Sequence, residues 1–432
     1  MVHYKLTYFD TTGAAEVIRE IFVVAGQEFE DVRLSRDDWP KHKDEMPFGQ
    51  VPVLEVDGKQ LAQSFAIARF LARKFGLAGK CPFEEALVDS IADQYKDFIN
   101  EVRPCLMVLI GYEEGDLEKL TNELLLPGRD KFFGFMTKFL KESKSGYLVG
   151  DSLTYVDLYL AETSAELEKK FSTIYDGFPE VKAHAEKIFS KWFTTSSLTS
   201  MPVELLKLPD RSSLLLVRNA KMSVLVTKNG LSTRMLKMPF RQILVLEVDG
   251  KQLAQSLAIV RFLARKFGFA GKSPFEEALV DSIADQFKDF FYEVRPCLMV
   301  LVGFAEGDLV LRLKWVDFLR AGRRVYPWYL QEKLTKELFL PACEKFFGFM
   351  TKILKESKSE KFSRAAIVDC LGYLVGDSLT FADLYLAETS AEFVKTFPTI
   401  YDGSPEVKAH AEKVRSNPAL KKWIETRPAT KF

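Results

Sequence analysis

The strongest constraint on this 432-residue chain is that it says the same thing twice. Residues 53–107 align without a gap to 245–299, an offset of 192, and 48 of the 55 positions are identical. The repeat resumes where KFFGFMTKFLKESKS (131–145) returns as KFFGFMTKILKESKS (345–359), and where GYLVGDSLTYVDLYLAETSAE (146–166) returns as GYLVGDSLTFADLYLAETSAE (372–392). A period this long is a whole protein and not a solenoid unit, and identity this high marks a recent duplication. The copies are incomplete at opposite ends. The first departs after Lys187, whereas the second departs upstream of Met238 and carries two insertions, at 310–331 and 360–371. Residues 193–236 resemble nothing in the first copy and read as a linker.

Charge and cysteine use narrow the function classes. Lysine plus arginine equals aspartate plus glutamate at 60 each, so no net field gathers nucleic acid or an anionic membrane. The five cysteines form no C-x-x-C pair, which argues against a disulfide framework or a structural zinc and for a reducing compartment. The N-terminal segment has no signal-like apolar core, and the cytosol is the expected location. No metal and no membrane span are expected.

Local patterning gives the architecture. HYKLTYF alternates as a strand, AAEVIREIFVVAG has helical spacing ending at Gly26, and EFEDVRL reads as a second strand. VPVLEV and KQLAQ form a hairpin around Asp57-Gly58, a strong turn pair. SFAIARFLARKFG is a helix, with Ser64 as its N-cap, and Pro82 to Lys187 is helical. The order is β-α-β-α-β-β-α followed by an all-helical domain. Thr154 and Asp157 form a capping pair with a folding role only.

YKLTYF, DDWPKHK, MPFGQVPVLEVDG, QSFAIARFLA and GDSLTYVDLYLAE, in this order and spacing, resemble the cytosolic glutathione transferases, nearest the sigma class and its nematode relatives. The resemblance covers nearly all of the first copy and the second from Met238 onward. It implies an α/β plus all-α fold. A thioredoxin-like glutathione-binding domain (1–78) precedes a helical domain (81–192). After the linker come an incomplete thioredoxin-like domain (237–270) and a second helical domain (273–432).

The same resemblance assigns the site. Tyr8 donates its hydroxyl to the glutathione sulfur, and a hydrogen bond to the thiolate favours the charged form and supplies a nucleophile. Pro52 is a cis-proline that presents the Val51 backbone to the tripeptide as an added strand. Gln63 and Ser64 hold the γ-glutamyl end at a helix N-terminus, Gln50 is a further glutathione-binding residue, and Trp39 and Lys43 serve the glycine end. Asp97, and by the repeat offset Asp289, reach the glutathione amino group across a subunit interface. Asp93, one turn earlier, is a candidate to share that role. Glutathione is a co-substrate, no cofactor is implied, and the second substrate is a hydrophobic electrophile lying near Leu109 or Tyr112.

Two departures qualify that reading. The family usually has arginine where this chain has Ala14. In the second copy, counting back by 192 puts Ser200 opposite Tyr8, Leu231 opposite Trp39, Arg241 opposite Gly49 and Leu244 opposite Pro52. The second copy thus lacks the first strand, first helix and second strand, and one working site per chain is expected. The alternatives are a non-catalytic ligand-binding or structural protein on the same scaffold, and a glutathione-dependent prostaglandin isomerase or peroxidase. The assembly is either a homodimer or an intramolecular pseudo-dimer in which the second copy acts as partner.

Overall fold

The computed structural model describes residues 2–193, 220–224, 244–301, 332–359 and 372–427. Both insertions and most of the linker lie outside the described residues. The chain divides into two compact units, Met1–Thr227 with Leu231–Phe262, and Leu263–Phe432 with Lys228–Gly230.

The first unit opens with β1 (Tyr4–Phe9), α1 (Glu16–Ala25), β2 (Glu30–Leu34), α2 (Trp39–His42), β3 (Val53–Val56), β4 (Lys59–Ala62) and α3 (Ser64–Lys74). The expected order is observed. The sheet runs β2-β1-β3-β4, with β1 parallel to β2 and antiparallel to β3. Asp57 and Gly58 at the β3–β4 turn have φ of 48° and 82°, the positive values that a two-residue hairpin with native twist demands. Tyr4, Leu6, Ile18, Phe22, Leu54 and Leu61 close the core. Tyr4 is 1% exposed and packs 5.2 Å from Phe22, so it is a packing residue.

The helical part follows as α4 (Pro82–Leu109), α5 (Leu117–Leu120), α6 (Leu126–Glu142), α7 (Tyr155–Lys170) and α8 (Pro179–Trp192). At the start of α7 the Asp157 carboxylate accepts from the Thr154 N–H and hydroxyl at 2.8 and 2.7 Å and from the Leu148 N–H at 2.8 Å. His184 Nε2 approaches it at 2.9 Å. The capping pair thus also ties a loop and α8 to one buried carboxylate.

The linker reading is corrected at one place. Ala220–Val224 forms a strand, β5, antiparallel to β6 (Leu244–Val248), which pairs with β7 (Lys251–Ala254). Ala220 opposes Val248 as Tyr4 opposes Val56, and Ser223 opposes Val245 as Thr7 opposes Val53. The second copy therefore has a first strand after all, AKMSV in the register of YKLTY. The register puts Val224, and not Ser200, at the place of Tyr8. After β7 comes α9 (Ser256–Phe267), which carries the chain from the first unit into the second.

The second unit contains α10 (Pro274–Leu301), α11 (Leu340–Ser359), α12 (Phe381–Thr396), α13 (Pro405–Arg415) and α14 (Pro418–Thr426). Phe290 stacks on Phe346 at 4.6 Å in its core. The capping device recurs, with Asp383 accepting from Thr380 and Leu374 and lying 2.8 Å from His410.

Candidate active site

Topology gathers the candidate residues at one end of the first sheet. Thr7 opposes Val53, and Val53 opposes Ala62, so these three form one row across β1, β3 and β4. Tyr8, Pro52 and Gln63 each lie one residue beyond that row. Three segments far apart in sequence thus meet because the strands alternate in direction.

Tyr8 is half-buried, and its hydroxyl accepts the Ala14 N–H at 3.4 Å. A Cβ on Gly13, whose φ is 98°, would also stand 3.4 Å from that hydroxyl, so the loop after β1 closes on the phenol through backbone. Burial raises the phenol pKa, and the Ala14 N–H and the positive charges of Arg19 and Arg103 offset it in part. Raised above 10, the group is a neutral O–H at physiological pH and available as a donor to an anion. Neither arginine was among the candidates. Nothing in the spacing of the residues signals them, because one arises from helix α1 and the other from α4.

The Val51–Pro52 bond is cis. Gln63 Nε2 donates to Gln50 Oε1 at 3.2 Å. Ser64 is the first residue of α3 and not its N-cap, a place taken by Gln63 with φ 70° and ψ 112°. That conformation is rare for a residue with a side chain, and such outliers are held where surrounding structure over-determines them. Trp39 on α2 packs edge-on against Phe9, the neighbour of Tyr8, at 5.5 Å. Lys43 is exposed and passes close to Gly49, where an added Cβ would meet its Cε at 3.5 Å. Tyr112, in the turn just after α4, is exposed, with the Arg36 guanidinium 5.4 Å from its ring centre.

Of the two interface aspartates, Asp97 lies against the second copy. The Asp97 carboxylate accepts from Gln255 Nε2 at 3.0 Å, and Gln94 Oε1 accepts from the same nitrogen at 3.2 Å. Ser90 donates to the Ala254 carbonyl at 2.9 Å. Asp93 pairs with Arg261 at 3.0 Å with both side chains 1% exposed, so it is a structural ion pair and not a sharer of ligand. Gln255 is the repeat counterpart of Gln63, with a matching φ of 67°. Asp97 thus faces the second copy's glutamine. Asp289 lies on α10 in the second unit.

Among the described residues, no group of three or more His, Cys, Asp or Glu side chains is placed to hold a metal ion. No helix among them is long and apolar enough to cross a membrane.

Comparison with known proteins identifies the family. A family model for the glutathione S-transferase N-terminal domain matches residues 4–73, and one for the C-terminal domain matches twice, at 100–191 and 323–427. The chain is 54% identical over 204 residues to "Probable glutathione S-transferase 7" of Caenorhabditis elegans, a match covering 99% of that protein and 46% of this chain. It is 52% identical over 188 residues to "Glutathione S-transferase 1" of Ascaris suum, covering 91% of that protein and 44% of this chain. Among solved structures, the monomeric glutathione S-transferase Na-GST-3 of the hookworm Necator americanus is 74% identical. That match covers 94% of the hookworm chain and 46% of this one, with a TM-score of 0.44.

Proposed function

The chain belongs to the glutathione transferases, and from that premise we propose that it joins the glutathione thiol to hydrophobic electrophiles at one site per chain, built on Tyr8. The observation that carries this is the meeting of Tyr8, Val51–Pro52 and Gln63–Ser64 at one end of the β2-β1-β3-β4 sheet. In this reading Tyr8, kept protonated, donates to the glutathione sulfur and favours its thiolate. The Val51 backbone pairs with the cysteinyl residue. Gln63 and Ser64, at the N-terminus of the 11-residue helix α3, take the γ-glutamyl carboxylate, with Gln50 accepting from the Gln63 amide beside them. Trp39 and Lys43 take the glycine end. Glutathione is the co-substrate, and the chemistry asks for no metal or cofactor.

The second copy is proposed as a partner in cis. Its Ala254, Gln255 and Arg261 engage Ser90, Gln94, Asp97 and Asp93 along α4, the face a second chain would need for a two-fold dimer of the expected kind. A 49.3 kDa monomer at assay concentration is the expected sedimenting species, and a dimer of chains contradicts this. Leu244 at the place of Pro52, and the register of Val224 with it, leave the second copy without a thiol-activating tyrosine.

Ala14 favours a second reading, a ligand-binding protein without turnover. Conjugation assayed with Tyr8→Phe separates the two. The transferase reading expects about a 100- to 1,000-fold fall in kcat, the scale of one lost transition-state hydrogen-bond donor. Turnover that is indifferent to the hydroxyl overturns it.

A further inference from the structure

The absence of arginine at position 14 does not leave Tyr8 without a nearby guanidinium. Arg19, in the first turn of α1, is 6% exposed, and its Cζ lies 5.9 Å from the centre of the Tyr8 ring. Its nitrogens hold both ends of the loop that closes on the phenol. Nη1 donates to the Thr11 carbonyl at 3.1 Å and to the Glu16 carboxylate at 2.9 Å. Nε donates to Asp31 at 3.2 Å, and Asp31 also takes Arg33 Nε at 2.9 Å, whose Nη1 reaches Asp10 at 3.1 Å. Thr11, Asp10 and Glu16 bracket Gly13 and Ala14, the two residues whose backbone meets the Tyr8 hydroxyl. Arg19 Nη2 is buried and makes no hydrogen bond among the described residues, so the guanidinium is not fully committed to its two carboxylates.

We propose that Arg19 is the positioning residue of this site. It fixes the 10–16 loop against Tyr8 and sets a buried cation beside the phenol ring, so serving the thiolate in place of the arginine that Ala14 replaces. A planar fork is required, because one guanidinium must bind a carbonyl and two carboxylates at once; an ammonium carries the charge without that geometry. The inference rests on the transferase reading above.

The test compares the native chain with Arg19→Lys, reading kcat and KM for glutathione, and the pKa of the bound thiol from the ultraviolet absorbance of its thiolate across pH. The expected result is a fall of about tenfold in kcat with KM within about twofold, and a rise of about one unit in the bound thiol's pKa. Adding Ala14→Arg to Arg19→Lys is expected to return most of both. An Arg19→Lys chain with unchanged kcat and thiol pKa, or one that loses only thermal stability, overturns the proposal. Should Arg19→Lys fail to fold, Ala14→Arg in the native chain decides: a change below about twofold means the place is already served, and a tenfold gain means it was vacant. A native chain that binds no glutathione defeats the transferase reading itself, a result recognisable before any variant is made.

Discussion

The Asp97 carboxylate of the first copy takes its hydrogen bond from Gln255 of the second, at 3.0 Å. One turn earlier on α4, Asp93 meets Arg261 at 3.0 Å in full burial. The duplicated segment is thus bonded into the first unit. Removing one member of a buried ion pair strands the other in a medium that solvates it poorly. Arg261→Met should cost about 3 kcal/mol in the denaturant unfolding of the chain. Adding Asp93→Leu should recover part of it. A cost below about 0.5 kcal/mol would show that the contact does not form.

Glu20 on α1 is 8% exposed, and its pKa is raised to about 9 by burial first and then by Glu162 and Glu16. The sign follows from linkage. The folded state holds this proton more tightly than the unfolded state, so the contribution is fully present below about pH 4.5 and is lost as pH rises toward 9. Stability should therefore decline over that window by at most about 1.4 kcal/mol per pH unit from this group. Glu20→Gln should flatten the decline in urea melts taken from pH 5 to 9. Equal slopes for the two proteins would contradict the assignment.

Much of this architecture was legible because local chemistry forces it. Asp57-Gly58 can hardly be other than a tight hairpin turn, and Thr154 with Asp157 announces a helix start. Strand direction then brings Tyr8, Pro52 and Gln63 together without further information. What stayed hidden depends on contacts made over long sequence distances. AKMSV shares only its lysine with YKLTY, and hydrogen-bond register alone reveals it as a replacement strand. Asp97 was assigned by analogy to a partner chain, while its observed partner, Gln255, lies 158 residues further along the same chain. Ser64 was displaced by one position because Gln63 adopts a left-handed φ that no propensity anticipates.

The same φ sets stability against function at Gln63. Glycine tolerates φ 70° without a Cβ penalty, so Gln63→Gly should be neutral or stabilising by up to about 1 kcal/mol in thermal melts. Losing the amide should weaken glutathione binding by about tenfold in calorimetry. A variant that melts lower and binds normally would reverse both halves of the account.

The twin capping carboxylates give a readout for each unit. Asp157→Ala removes the acceptor for three hydrogen bonds in the first unit, and Asp383→Ala removes the same set in the second. Each should cost about 2–4 kcal/mol, through stranded buried donors and a lost cap. Calorimetric scans should show Asp383→Ala lowering a transition that leaves glutathione binding intact at 25 °C. Loss of binding with Asp383→Ala would tie the second unit's folding to the first unit's site.

The most direct test of the central claim is the stoichiometry of glutathione binding to the purified full-length chain by titration calorimetry. One glutathione per chain is predicted, bound at the Tyr8 site, with Tyr8→Phe retaining the stoichiometry while losing turnover. Two per chain would contradict the reading of Leu244 and Val224 as the marks of a second copy without a working site, and none would contradict the site itself.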